Sequence, residues 1–151
     1  MKKKSMGLAI AACAVVVTIG IVWSVFSDYS WAIKLNWGIS LPWKAGLTKI
    51  YERDSGPSFH GDGVCYHVYS YEYEDYIDLM FAWSPTEYPT NHYTTTSKAA
   101  EVWLGEIDVP AEERPDYKKC CTWHKAQEDN SEIILFWDSE QNRLYIVENF
   151  I

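Results

Sequence analysis

The longest uninterrupted apolar stretch of the chain runs from Met6 to Phe26, 21 residues without a charged side chain. As a helix this segment is about 30 Å long, which matches the hydrocarbon thickness of a bilayer. A secretory signal would have a shorter apolar region that ends at a small-residue cleavage site. Lys2, Lys3 and Lys4 precede the segment, and the positive-inside rule keeps them in the cytoplasm. The pattern predicts a cytoplasmic tail (1–5), a transmembrane helix (6–26) and a C-terminal domain outside the cell membrane.

A lipoprotein anchor is the alternative interpretation of the same segment. Ile10-Ala11-Ala12-Cys13 resembles a processing box in which the cysteine is lipidated. Only a few apolar residues precede this box and most of the apolar stretch follows it, which is the reverse of a signal. Either anchor, at Cys13 or through the spanning helix, would hold the chain on the outer face of a cell.

An aromatic juxtamembrane segment, residues 27–46, comes next. Apolar side chains occupy every second position from Trp31 to Trp43, with polar or small residues between them. A period of two predicts an extended edge strand with one buried face. The alternative is an extended segment whose apolar face lies against lipid headgroups.

Residues 47–151 carry the pattern of one α+β domain. Five stretches have strand character: Leu47–Arg53, Val64–Tyr73, Tyr117–His124, Glu132–Asp138 and Arg143–Phe150. Two stretches have helical spacing of apolar residues, 74–82 and about 97–107, the second with Ala100, Trp103, Leu104 and Ile107 facing inward. Ser139–Asn142 separates the last two strands as a turn. This order predicts an antiparallel sheet of about five strands with one or two short helices packed on one face.

Composition and charge limit the partners of this domain. The chain is rich in aromatic residues (16%), which is typical of a folded domain rather than a disordered tail. Beyond residue 27 it holds ten basic residues against 21 acidic ones, a formal charge of −11. An acidic domain lacks the basic stripe that binds phosphates, so we expect no nucleic acid partner. No cofactor motif is present.

The loop Phe59-His60-Gly61-Asp62-Gly63 precedes a strand rich in Tyr and Val, and a Leu-Tyr-Ile-Val-Glu strand comes late in the chain. In these features the sequence resembles a group of small membrane-anchored exported proteins of Gram-positive bacteria. The resemblance implies location and fold, and it implies no reaction. Phe59, His60 and Asp62 of this loop are the candidate binding residues.

His60 and Asp62 are also candidates for a divalent metal site or a general base with its orienting carboxylate, with Asp54 and His67 near in sequence. Zinc sites usually need three or four ligands, and no common zinc motif or G-x-S-x-G elbow occurs. The alternative is an Asx-type turn in which Asp62 bonds backbone amides. Enzymatic activity is therefore left undecided by the sequence, with the balance against it.

Cysteine number allows one disulfide in the exported part. Cys65, Cys120 and Cys121 lie there, and a bridge from Cys65 to Cys120 or Cys121 is a candidate if their strands are neighbours. Alternation sends Cys120 and Cys121 to opposite faces, so only one of the two could point toward Cys65.

A tyrosine-rich region completes the pattern. Its aromatic residues fall within about thirty positions: Tyr66, Tyr69, Tyr71, Tyr73, Tyr76, Trp83, Tyr88 and Tyr93. Most are expected in the core, and any that are exposed would form a platform for a protein or glycan. Together the features favour a membrane-tethered, non-enzymatic binding module for an envelope protein or cell-wall material.

Overall fold

The computed structural model describes residues 29–56, 61–85 and 91–151. The chain divides into two compact units, residues 1–41 and 42–151. The predicted tail (1–5) and transmembrane helix (6–26) lie outside the described residues. Within the described ranges, every helix is too short or too polar to cross a bilayer.

Helix α1, Tyr29–Trp37, corrects the prediction of an extended segment. An alternating pattern also places apolar residues four apart, and four residues is the spacing of one helix face. Ile33 and Trp37 have this spacing and are both buried, whereas Leu35 is exposed. The helix ends at Gly38, whose φ is +73° and whose N–H donates to the carbonyl of Lys34 at 2.9 Å. Glycine adopts this left-handed conformation without steric cost.

An antiparallel sheet forms the centre of the second unit. Its strands are β1 (Thr48–Asp54), β2 (Gly63–Ser70), β3 (Ser84–Pro85), β4 (Cys121–Ala126), β5 (Glu132–Asp138) and β6 (Arg143–Phe150). Their order is β1-β2-β6-β5-β4-β3, and every neighbouring pair is antiparallel. The α+β class and the five long strands are confirmed, and β3 adds a two-residue edge.

The β5–β6 hairpin has the predicted bounds. Asp138 is buried, and its Oδ1 accepts a hydrogen bond from the backbone N–H of Gln141 at 3.0 Å. Asn142 takes a left-handed conformation, φ 52°, which asparagine tolerates better than most residues. These two residues close the turn.

Strand β4 begins later than the sequence predicts. Residues 117–120, assigned to the strand, instead belong to a turn in which the N–H groups of Lys119 and Cys120 donate to the carbonyl of Asp116. The side chain of Asp116 also accepts from the N–H of Lys118. Aspartate stabilises such turns by competing for nearby backbone donors, which is why this stretch is not extended.

Both predicted helices are present, with different lengths. Helix α2, Asp75–Asp78, is a single turn, and α3, Asn91–Glu106, begins earlier than expected. Between α1 and β1, and again after α3, the chain makes 3₁₀ turns at Trp43–Ala45 and Ala111–Glu113. Helix α3 packs on β2 and β6 through Ala100 and Leu104, which are fully buried.

One face of the sheet forms the core together with α3. The buried cluster consists of Val64, Tyr66, Val68, Ala100, Leu104, Ile107, Val109, Cys120, Ile134, Phe136, Tyr145 and Val147, with Trp103 packed against it. The residues between them on β5 and β6, Ile133, Leu135, Leu144 and Ile146, face the other way and are fully buried too. Burial on both faces explains why these strands are continuous apolar runs rather than alternating ones.

Tyr71 joins the end of β2 to β5. Its hydroxyl accepts a hydrogen bond from the indole Nε1 of Trp137 at 2.7 Å. We expect Tyr71→Phe to lower the free energy of unfolding by about 1–3 kcal/mol, because it leaves a buried donor without an acceptor. Urea denaturation of the full-length chain measures this. Tyr73→Phe, at an exposed position, is the control and should change stability by less than about 0.5 kcal/mol; equal effects would contradict the assignment.

Candidate functional site

A shallow cleft of about 290 Å³ lies where the β1–β2 loop meets the end of β6. Its lining residues are Asp54, Ser55, Gly56, Gly61, Asp62, Gly63, Cys65 and Phe150. Asp62 is thus the candidate site residue that the structure places in a concave position, together with Asp54. Phe59 and His60 lie outside the described residues.

Backbone contacts hold the described part of this loop. The Oδ1 of Asp54 accepts from the N–H of Gly56 at 2.8 Å, so the Asx turn found here belongs to Asp54. Ser55 bonds to Val64 twice, through its N–H and through its hydroxyl oxygen. Gly63 has a φ of +144°, and a Cβ there would clash with the Ser55 hydroxyl. Glycine is therefore required at this close approach.

The three described thiols are protonated at neutral pH. Burial, with help from Glu148 and Asp54, raises the pKa of Cys65 to about 11. Burial also raises the pKa of Cys120 and of Cys121. A thiolate is the reactive form of cysteine, so Cys65 lines the cleft but does not provide a nucleophile.

The predicted disulfide does not form. Cys65, Cys120 and Cys121 are free thiols, and the condition for a bridge fails because β6 and β5 separate β2 from β4. Three strand spacings correspond to about 14 Å, twice the largest Cα separation that a disulfide can join. Cys120 lies in the turn before β4 and is buried in the core.

His67 lies two residues after Cys65, on the same face of β2. It is not among the residues that line the cleft. Burial lowers its pKa to about 4, and its Nδ1 is 3.8 Å from the Glu52 carboxylate. The imidazole is neutral at physiological pH and could serve as a ligand or base. In residues 29–56, 61–85 and 91–151, however, no group of three His, Cys, Asp or Glu side chains could hold a metal ion, so the metal site at His60 and Asp62 stays a prediction.

A second feature lies where the first 3₁₀ turn contacts α2. Four large apolar side chains are exposed here, Trp43, Tyr73, Tyr76 and Leu79, and four exposed acidic side chains lie among them, Glu72, Glu74, Asp75 and Asp78. We call these eight residues the aromatic–acidic surface. Trp43 and Leu79 are each about 80% exposed (81% and 80%).

Buried contacts fix this surface to the domain. The carbonyl of Ala45 accepts hydrogen bonds from the N–H groups of Glu72 and Tyr73, at 2.8 and 3.1 Å. Ala45 and Ile77 are fully buried and anchor the turn and the helix. Because the inward positions are taken by these two residues, the larger side chains beside them face solvent.

An aromatic cluster at the β3–β4 edge supports α2 from behind. Phe81 stacks on Trp123 with ring centroids 4.1 Å apart, and Trp83 contacts Trp137. The indole Nε1 of Trp83 donates to the carbonyl of Ile77 at 2.9 Å. The single turn of α2 is therefore linked to the sheet through Trp83.

The tyrosine-rich region divides between core and surface. Tyr66, Tyr69 and Tyr71 are buried, as expected for most of the group, whereas Tyr73 and Tyr76 are exposed. The sequence placed Trp43 on a buried face, which is wrong, and gave no role to Leu79. The available signal was the density of acidic residues from Glu72 to Asp78. Charged side chains stay in water, so the residues between them tend to lie at the surface as well.

Comparison with known proteins gives no further assignment: the chain matches no protein family, no curated protein sequence and no solved structure.

Proposed function

We propose that this chain is a membrane-tethered extracytoplasmic module that binds an envelope protein or cell-wall material and catalyses no reaction. Residues 6–26 span the cell membrane in this proposal, with the N-terminus in the cytoplasm. The domain from residue 47 onward lies outside, and the aromatic–acidic surface makes the contact with the partner.

One observation carries the proposal: four large apolar side chains are exposed together on a rigid support. Single exposed apolar residues are normal, but a cluster with polar residues around it is typical of interaction sites. Tyrosine and tryptophan are enriched among the residues that dominate binding energies. Ala45 and Ile77 hold the backbone that carries these exposed side chains. That backbone would therefore lose little conformational freedom when a partner binds.

The chemistry of the cleft supports binding over catalysis. Its thiol, Cys65, has a raised pKa, and the neutral His67 is not among the residues that line it. Among the described residues that line it, Asp54 and Asp62 are the two carboxylates. The acidic charge of the exported part also disfavours phosphate-rich partners.

Site-specific photo-crosslinking in cells tests the proposal. A photo-crosslinking phenylalanine analogue replaces Tyr76 in the full-length chain, and in a second chain it replaces Val102 on α3, which is the more exposed of the two positions (58% against 41%). We expect a discrete crosslinked product from position 76 and none from position 102. Identical patterns from the two positions, or no product from either, would refute a specific partner at this surface.

Cell fractionation tests the tether. The full-length chain should remain in the membrane pellet after carbonate extraction, and protease added outside intact cells or protoplasts should digest the C-terminal domain. A chain lacking residues 6–26 should leave the pellet. Recovery of the intact chain in the soluble fraction would refute the proposed topology.

A further inference from the structure

We propose that the aromatic–acidic surface binds a cationic polypeptide segment, one that presents Lys or Arg side chains beside apolar ones. This inference rests on the proposed function and adds the chemistry of the partner to it. The partner would be a basic stretch of another protein at the cell surface.

Charge is the first argument. Residues 72–79 contain four acidic side chains and no basic one, and all four are exposed. Lys44 is the single cation on the adjoining 3₁₀ turn. A negative patch attracts a basic segment, speeds its encounter and repels anionic partners. Acidic lipid headgroups and phosphate polymers are therefore poor ligands for this surface.

The aromatic rings supply the second argument, because one of them already holds an ammonium group. The Lys44 Nζ lies 5.6 Å from the centroid of the Trp43 ring, which is a cation–π distance. The exposed ring face is thus suited to a positive charge. Tyr73 and Tyr76 add two more exposed rings next to carboxylates, a combination that recognises Lys or Arg by ring face and ion pair together.

Leu79 gives the surface its third property. Its side chain is exposed directly after α2 and offers apolar contact where the aromatic rings end. A partner with charges alone would leave this contact unused. A segment that alternates basic and apolar side chains would use the carboxylates, the rings and Leu79 at once.

A fluorescence anisotropy titration tests the inference. The full-length chain is titrated against a fluorescein-labelled peptide made of Lys-Lys-Leu repeats, with a Glu-Glu-Leu peptide as the charge-reversed probe. We expect saturable binding of the basic peptide that weakens with added salt, and no binding of the acidic one. Absence of saturable binding to the basic peptide would overturn the inference.

Two triple variants with the same net charge separate a local site from general attraction. Glu74→Gln, Asp75→Asn and Asp78→Asn remove three charges from the surface. Glu106→Gln, Glu112→Gln and Glu128→Gln remove three exposed charges elsewhere. We expect the first variant to bind on the order of tenfold more weakly and the second to change affinity less than about twofold. Equal weakening would show that only net charge matters and would overturn the inference.

Two further variants test the apolar and aromatic parts without removing acidic charge. Tyr76→Ala with Leu79→Ala should weaken binding several-fold, and both positions are exposed, so the fold should remain, as circular dichroism would check. Lys44→Ala should tighten binding, because it removes the internal ammonium that competes for the Trp43 ring. Unchanged affinity in both would overturn the role of the rings.

A glycan probe distinguishes this inference from the other class of partner. Saturable, salt-independent binding of a neutral chito-oligosaccharide, abolished by Tyr76→Ala, would replace the cationic partner with a glycan. If the crosslinking at position 76 succeeds while the basic peptide fails to bind, the cationic chemistry is refuted and the interaction module stands. If the peptide binds but position 76 gives no crosslink in cells, the proposed function is refuted instead.

Discussion

Replacing Arg114 by alanine should lower the free energy of unfolding by about 3 kcal/mol, because one guanidinium fastens the end of α3 to the rest of the domain. Its Nε donates to the carbonyl of Val109 at 2.9 Å, and its terminal nitrogens reach the carbonyl of Leu104 and the carboxylate of Glu101. The carbonyl of Leu104, in the last turn of the helix, also accepts from the backbone N–H of Val109 at 3.0 Å, so Arg114 is its second donor, and a cation there interacts favourably with the helix dipole. Alanine would remove all three contacts.

Two further variants make this prediction specific. Arg114→Lys keeps the charge but not the planar fork, so we expect it to recover less than half of the loss. Lys118→Ala removes an exposed cation nearby and should change stability by less than about 0.5 kcal/mol. Urea denaturation of the full-length chain, followed by tryptophan fluorescence, measures all three. A loss for Arg114→Ala no larger than that for Lys118→Ala would contradict the capping role.

The parts of the fold that could be predicted are those where local pattern and tertiary packing agree. The β5–β6 hairpin has two apolar runs around a polar tetrapeptide, and its observed bounds are the predicted ones. The inward residues of α3, Ala100 and Leu104, follow from helical spacing alone. Strand order does not follow from pattern, because pairing of β2 with β6 joins residues far apart in sequence.

The wrong predictions come from patterns with two physical solutions. In residues 31–37 the apolar residues recur every two positions, so each of them also has an apolar residue four positions away. The same sequence therefore suits either a strand or a helix. Gly38 offered the deciding signal, since glycine ends helices. The disulfide depended on β2 and β4 being neighbours, a condition that only the sheet order could test.

The candidate site was partly visible in the sequence. Gly56, Gly61 and Gly63 of the β1–β2 loop all have positive φ, a conformation that glycine adopts without steric cost. The cleft at Asp54 and Asp62 could not be foreseen, because it needs Phe150 from the far end of the chain. The aromatic–acidic surface was hidden for a similar reason: it forms because the turn at Trp43–Ala45 packs on residues about thirty positions later, with the carbonyl of Ala45 accepting from the N–H groups of Glu72 and Tyr73.

His67 makes the stability of the fold depend on pH, and its surroundings explain why. On β1, Lys49 opposes protonation of the imidazole, while Glu52 and Asp54 favour it. On β6, its cross-strand neighbour Ile146 is apolar and fully buried. Glu148 lies two residues further along β6, on the same face and opposite Cys65. Burial outweighs the carboxylates, so the net effect is a pKa lowered to about 4 from the ordinary 6.5.

The sign of the pH effect follows from that difference. Between pH 6.5 and 4 the unfolded chain binds a proton at His67 and the folded chain does not, so the free energy of unfolding falls as the pH falls and levels off below about 4. A difference of this size corresponds to about 3 kcal/mol. His67→Gln should lose about 3 kcal/mol less than the parent chain over this window. Denaturation at several pH values measures the slopes, and NMR titration of the His67 ring gives the pKa directly. Parallel slopes for the His67→Gln chain and the parent, or a ring that titrates near 6.5, would show that the imidazole is hydrated in the folded protein.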